Sequence, residues 1–190
     1  MASEFEVKYR SSSEAMEALK AAFGPYETIA METTYYDTAQ GALSARRWTL
    51  RRRLENGHSV CTLKTPGQGL ERGEWEVPCG EILRAVPLLV EAGAPRELAA
   101  LVSGGVVPAC GARFTRLACR VSYGASVLEL ALDTGLLLGG GKEEALCEVE
   151  AELKQGTKED TLAFGAFLAD RYGLVPEYRS KLARALALKA

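Results

Sequence analysis

The stretch Cys147-Glu148-Val149-Glu150-Ala151-Glu152-Leu153 sets three carboxylates on one side of an extended chain and apolar residues on the other. Successive strand side chains point to opposite faces, so Glu148, Glu150 and Glu152 stand on one face at roughly 7 Å spacing. Each neighbouring pair repels by roughly 2 kcal/mol at an effective dielectric of about 20. Such a face needs counter-charges or full hydration. The pattern recurs outward along the chain. Glu4, Glu6 and Lys8 share a face, as do Arg51 and Arg53, Thr62 and Lys64, Arg72, Glu74 and Glu76, Arg116 and Arg120, and Glu129 and Asp133. The opposite faces are apolar: Phe5, Val7 and Tyr9; Leu50 and Leu54; Trp75 and Val77; Leu128, Leu130 and Leu132.

Alternation predicts eight strands, over 4–9, 33–37, 48–54, 59–64, 72–77, 114–122, 127–133 and 145–153. Asn56-Gly57 reads as a tight hairpin turn, and the short loops Gly67-Gln68-Gly69 and Gly139-Gly140-Gly141 point to antiparallel neighbours. Helical periodicity covers 11–23, with Ser11 and Glu14 as a capping box and Gly24-Pro25 as the stop. Further helices are expected over 82–92, 95–102 and 157–172, and a last one starts near Ser180. If the helices cover the apolar faces from outside, a closed sheet must turn its charged faces inward. The fold class expected is α+β: an eight-stranded antiparallel β-barrel with a charged interior, outer helices and a C-terminal helix.

At 190 residues, with 47% apolar composition and no linker or repeat, the chain is expected to form a single domain over 1–190. Its 23 basic and 25 acidic residues leave a net charge of −2, which gives no electrostatic basis for nucleic-acid binding. No apolar run suits a bilayer, and MASEFEVKYR opens with charges where a signal segment would be apolar. Five scattered cysteines without a CxxC pair argue against a disulfide framework or zinc site and for the cytoplasm. The single histidine, His58, falls in a turn-like stretch, so acid–base chemistry is left to carboxylates, lysine or water. Tyr35 and Tyr36 are read as packing at a barrel rim, and Trp48 and Trp75 as core.

A tunnel lined by carboxylates and guanidinium groups suits a hard divalent cation, Mg²⁺ or Mn²⁺, together with the oxygens of a phosphate chain. At these residues the chain resembles the CYTH superfamily, the triphosphate tunnel metalloenzymes. The ExExK signature stands as Glu4-Phe5-Glu6-Val7-Lys8. It is followed in family order by Tyr35-Tyr36-Asp37-Thr38, Leu50-Arg51-Arg52-Arg53, Thr62-Leu63-Lys64, Glu74-Trp75-Glu76-Val77, Phe114-Thr115-Arg116, Leu128 to Gly135, Cys147 to Leu153, and Ser180-Lys181-Leu182-Ala183-Arg184. The pattern is most similar to bacterial members described as inorganic triphosphatases.

The resemblance implies metal-dependent hydrolysis of a linear triphosphate or polyphosphate by a soluble monomer or homodimer. Carried onto this sequence, Glu4, Glu6, Glu150 and Glu152 bind the metal, with Glu148 and Asp133 as further members. Lys8, Arg51, Arg53, Lys64, Arg116 and Lys181 grip phosphates, and Arg120 is the alternative to Arg116. Glu74, Glu76 and Glu129 position basic partners or a second metal. With no Ser-His or Cys-His pair, the expected nucleophile is a water oriented by metal or by a carboxylate of the Glu150, Glu152 and Asp133 group. Lys181 directly follows the expected N-cap Ser180, where a cation opposes the helix dipole. That broken local rule marks it as a candidate for anion contact. Alternatives are a nucleotide-directed activity (ATP hydrolysis, cyclisation of ATP or thiamine triphosphate hydrolysis) and a polyphosphate-binding module without turnover.

Overall fold

The computed structural model describes residues 2–67 and 71–189. Gln68 and Gly69, read as part of a short loop, lie outside the described residues. Strands β1 (Ala2–Arg10), β2 (Glu27–Asp37), β3 (Thr49–Glu55), β4 (His58–Pro66), β5 (Glu71–Pro78), β6 (Val107–Tyr123), β7 (Ser126–Gly139) and β8 (Lys142–Gln155) run in the order β5-β4-β3-β2-β6-β7-β8-β1. All neighbours are antiparallel, and β1 closes the ring. Its first half pairs with β5 (Glu4 opposite Arg72) and its second half with β8 (Glu6 opposite Glu152). The expected barrel is therefore present. A ninth strand, β9 (Val175–Pro176), adds to β1 beside Tyr9 and Arg10. Two residues carry too little periodicity to be read.

Local chemistry explains the joints. Asn56 and Gly57 both adopt left-handed backbone, φ 49° and 85°, which a two-residue hairpin turn demands. Gly140 and Gly141 do the same between β7 and β8. Strand β6 begins at Val107, seven residues before the expected start at Phe114. In that stretch Pro108 sits opposite Tyr36 where the β2–β6 register shifts, a bulge that needs no proline N–H.

Helix α1 (Ser13–Ala22) is capped by Ser12, whose Oγ accepts from Ala15 N at 3.1 Å. This moves the expected cap one residue on from Ser11. Helix α4 (Lys158–Tyr172) starts on Thr157 and stops at Gly173 in the left-handed conformation, as read. Helices α2 (Ile82–Glu91) and α3 (Glu97–Leu101) occupy the two helical stretches expected over 82–92 and 95–102.

The helices cover the outer faces. Val7, Tyr9, Leu128, Leu130, Leu132, Val149 and Ala151 pack under α1 and α4 with Met16, Leu19, Phe164 and Leu168. On the other side Leu50, Cys61, Leu63, Trp75 and Val77 pack under α2 and α3 with Ile82, Val86, Leu89 and Leu98. Each fully buried leucine or phenylalanine contributes about 1.5–3 kcal/mol. With apolar faces so used, the alternating charged faces turn inward. At one end the inner face becomes apolar, where Met31, Ala112, Phe114, Leu137 and Leu146 meet Ala185 of the C-terminal helix α5 (Lys181–Ala187). Among the described residues no helix is long and apolar enough to cross a membrane.

Candidate active site

The barrel encloses a cavity of about 220 Å³. Among the described residues it is lined by seven carboxylates (Glu4, Glu6, Glu74, Glu76, Glu129, Glu150, Glu152) and eight cations (Lys8, Arg51, Arg53, Lys64, Arg72, Arg116, Lys154, Lys181). Two charge networks make up its walls.

The first spans β3, β4, β5 and β1. Lys64 Nζ donates to both oxygens of Glu4 at 2.7 and 2.6 Å and lies 3.3 Å from Glu74. Arg51 is 3.7 Å from Glu74 and 3.8 Å from Glu76, while Arg53 is 3.6 Å from Glu76 and pairs with Glu55. Thr62 donates its hydroxyl to Glu76 at 2.9 Å. The Nε atoms of Arg51 and Arg53 are buried and have no hydrogen-bond partner. The Nε atoms of Arg52 and Arg184, which do not line the cavity, are left the same way, at a cost on the order of 1–3 kcal/mol each.

The second network spans β6, β7, β8 and α5. Arg116 forks onto Asp133 with two bonds of 2.7 Å and reaches Glu150 as well. Lys181 Nζ is 2.9 Å from Asp133 and 2.6 Å from Glu150, and it also donates to Glu148. Behind them Arg184 donates to Glu148 at 2.9 Å and to Glu144 at 3.1 Å. Asp133 and Glu148 are fully buried. Burial pushes the Glu148 carboxyl up to about 7, with Lys181 opposing and Glu150 adding repulsion. For Glu150 burial acts upward too, but Lys181, Arg116 and Lys8 outweigh it and hold the carboxyl well below the usual range. Burial would lower Lys181, yet Asp133, Glu150 and Glu148 hold its ammonium well above its ordinary value.

These placements bear on each residue singled out in the sequence. Glu4, Glu6, Lys8, Arg51, Arg53, Lys64, Glu74, Glu76, Arg116, Glu129, Glu150, Glu152 and Lys181 all line the cavity. Asp133 and Glu148 lie behind it, holding Arg116 and Lys181. Arg120 does not enter: its side chain is 59% exposed and lies 3.9 Å from Glu129, so Arg116 is the arginine of this strand that faces the cavity. Lys181 follows its N-cap Ser180 as read, and three carboxylates explain a cation at that position. Tyr36 packs outside, whereas Tyr35 lines the cavity, so only one of the pair behaves as expected. Trp75 is core, and Trp48 is half-buried against the α2–α3 cluster.

Three cations went without a role in the sequence, and one of them, Arg72, shares a strand face with Glu74 and Glu76. Lys154 lies two residues beyond Glu152 on the same strand face, and Arg184 one turn beyond Lys181. Both spacings were available as signals.

The carboxylates differ in what they can hold. Asp133, Glu148 and Glu150 bring oxygens within 4.8 Å of one another, and Arg116, Lys181 and Arg184 pair with them. Glu6, Glu152 and Glu129 instead form one cross-strand row, Glu6 opposite Glu152 and Glu129 opposite Glu152. Burial raises the Glu6 carboxyl, and repulsion from Glu150 and Glu4 adds to it; its nearest ion-pair partner, Lys8, is 4.0 Å away. Lys154 pairs with Glu152 at 2.7 Å and Glu129 at 3.5 Å, and the carboxylates of the row offer oxygen donors, the type a hard divalent cation takes.

An inorganic triphosphatase of Haemophilus influenzae is 29% identical over 143 residues, covering 73% of this chain and 40% of that protein. The chain thus aligns with well under half of that relative. A Hippeastrum protein, described as an adenylyl cyclase candidate with a dominant triphosphatase activity, superposes with a TM-score of 0.72 at 23% identity, covering 100% of this chain and 97% of that one. The PH1819 protein of Pyrococcus horikoshii superposes with a TM-score of 0.67 at 22% identity, covering 97% and 99%. Residues 2–186 match the CYTH domain, and with its charged eight-stranded tunnel the chain belongs to the CYTH family.

Proposed function

We propose that this CYTH protein hydrolyses inorganic triphosphate inside its barrel, with Mg²⁺ or Mn²⁺ bound. The observation that supports this reading is a barrel cavity with eight cations on its walls, among them Arg51, Arg53, Lys64, Lys8, Arg116 and Lys181. Triphosphate oxygens are the acceptors such donors call for, and the charge they carry repels any nucleophile until it is neutralised. Arg51, Arg53 and Lys64 on one wall and Lys8, Arg116 and Lys181 on the other would grip a linear chain lying between them. Preorganised cations aimed at oxygens that gain charge as the P–O–P bond breaks stabilise the transition state without reorganisation.

In this reading Asp133 and Glu148 hold Arg116 and Lys181 in place. Glu4, Glu6, Glu150 and Glu152 would hold the divalent ion, with Glu129 beside them; when bound, it supplies further charge neutralisation at phosphate oxygens. Glu152, its side chain 25% exposed, would orient the attacking water. Water oxygen bonds to a terminal phosphorus, the bridging P–O bond breaks, and phosphate and pyrophosphate leave. Calorimetric titration with tripolyphosphate tests the grip: tight binding lost at least tenfold in Arg53→Gln supports it, and unchanged binding in the variant contradicts it.

One observation favours an organic triphosphate as a second reading. A recess of about 570 Å³ shares Thr49, Lys64, Arg72, Ser180 and Leu182 with the tunnel and carries Trp48 and Tyr178 on its wall. Aromatic side chains there could stack on a base.

A further inference from the structure

Strand β8 continues its inward alternation past Glu152, so Lys154 also faces the cavity. Its Nζ lies 2.7 Å from Glu152 Oε2 and 3.5 Å from Glu129 Oε1. Glu152 is the centre of the cross-strand row, flanked by Glu6 on β1 and Glu129 on β7 at the roughly 5 Å spacing of adjacent strands. The lysine thus pairs with the centre of the row and one of its flanks, with its side chain 27% exposed. The inner networks differ. There Lys181 and Arg116 are locked by two or three short bonds each, behind side chains nearly cut off from water.

We propose that Lys154 is a displaceable counter-cation: its ammonium neutralises Glu152 and Glu129 until a divalent ion takes the row, and then swings out to solvent. The inference rests on the metal reading above. An ammonium and a divalent ion cannot share the same carboxylate oxygens without like-charge repulsion, so Lys154 competes with the metal and sets its affinity. A four-carbon stem anchored at the rim lets the charged end leave without moving the strand. Competition of this kind keeps the row from carrying unbalanced carboxylates between metal-bound periods, and it weakens metal binding as its consequence.

The test is direct titration of Mn²⁺ into wild type, Lys154→Gln and Lys154→Arg without triphosphate, reading free Mn²⁺ by electron paramagnetic resonance. Partly exposed pairs of this type are worth roughly a factor of two to five each, so losing two makes Lys154→Gln bind Mn²⁺ roughly four- to twenty-five-fold more tightly. Lys154→Arg keeps the charge and stays within about twofold of wild type. Melting temperature read on the same samples reports folding: a folded Lys154→Gln protein should gain more from added Mn²⁺ than wild type does. Equal or weaker Mn²⁺ binding by Lys154→Gln, with wild type binding normally, overturns the role of Lys154 and leaves the metal reading standing. No Mn²⁺ binding by any of the three proteins overturns both.

Discussion

Lys181 Nζ sits 2.9 Å from Asp133 Oδ2, joining the first turn of the C-terminal helix to the middle of a barrel strand. Both side chains are almost withdrawn from water. Removing one partner of a buried, multiply bonded pair strands the other's charge, at a cost of about 3–5 kcal/mol. Lys181→Gln is therefore expected to lose about that much stability in urea unfolding, with turnover reduced further than stability alone explains. Wild-type stability in the variant would mean that the carboxylates do not depend on this lysine.

Glu4 is bonded through both oxygens to Lys64. Glu4→Gln keeps the side-chain size and one acceptor but removes a charge that the metal reading requires. Turnover is expected to fall by orders of magnitude while the melting temperature drops by only a few degrees. Near-normal activity would remove Glu4 from the site.

Glu177 ties the approach to α5. Its backbone N–H donates to Lys8 O at 2.9 Å, and its carboxylate pairs with Arg179 at 3.0 Å. Hydrogen bonding from Arg179 is the largest influence on the carboxyl and lowers it to about 2 from an ordinary 4.5. A depressed folded-state value stabilises the protein above the unfolded value, and the benefit is lost as pH falls through the folded one. Melting temperature should decline between about pH 4.5 and about pH 2, and Glu177→Gln should flatten part of that slope. An unchanged slope in the variant would assign the acid sensitivity elsewhere.

Tyr178 is 82% exposed on the wall of the outer recess, so it contributes little to packing. For an inorganic substrate Tyr178→Ala should leave kcat/KM within about twofold. A loss confined to ATP or thiamine triphosphate would show that the recess reads an organic group; stacking on an aromatic is worth about 0.5–1.5 kcal/mol.

Gly139 lies against α5, where an added Cβ would meet the Ala185 carbonyl oxygen at 1.9 Å. Backbone cannot yield as a side chain end can. Gly139→Ala is expected to cost about 1–3 kcal/mol by overpacking and to lower activity by shifting the helix that carries Lys181. Calorimetric melting alongside turnover checks both effects.

Much of this was legible in the sequence because charge alternation and helix caps are local. The opposition of charged and apolar faces on Glu148 to Leu153, once repeated along the chain, already required helices outside and charges inside. What stayed hidden was set by pairing across the barrel. Arg116 and Arg120 share a face in sequence, and only the register that sets Arg116 opposite Asp133 separates the buried one from the exposed one. The resemblance gave Asp133 and Glu148 as further metal-binding members, and that α5 brings Lys181 and Arg184 onto them is not readable from sequence order. Lys154 carried a readable signal, its spacing from Glu152, whose meaning needed Glu129 on the next strand.

The central claim is turnover of inorganic triphosphate. Phosphate release from tripolyphosphate, ATP and thiamine triphosphate, each with Mg²⁺, with Mn²⁺ and with chelator, tests it most directly. The account predicts fast release from tripolyphosphate that chelator abolishes, with slow release from the two organic substrates. Background release from tripolyphosphate under every condition would contradict it.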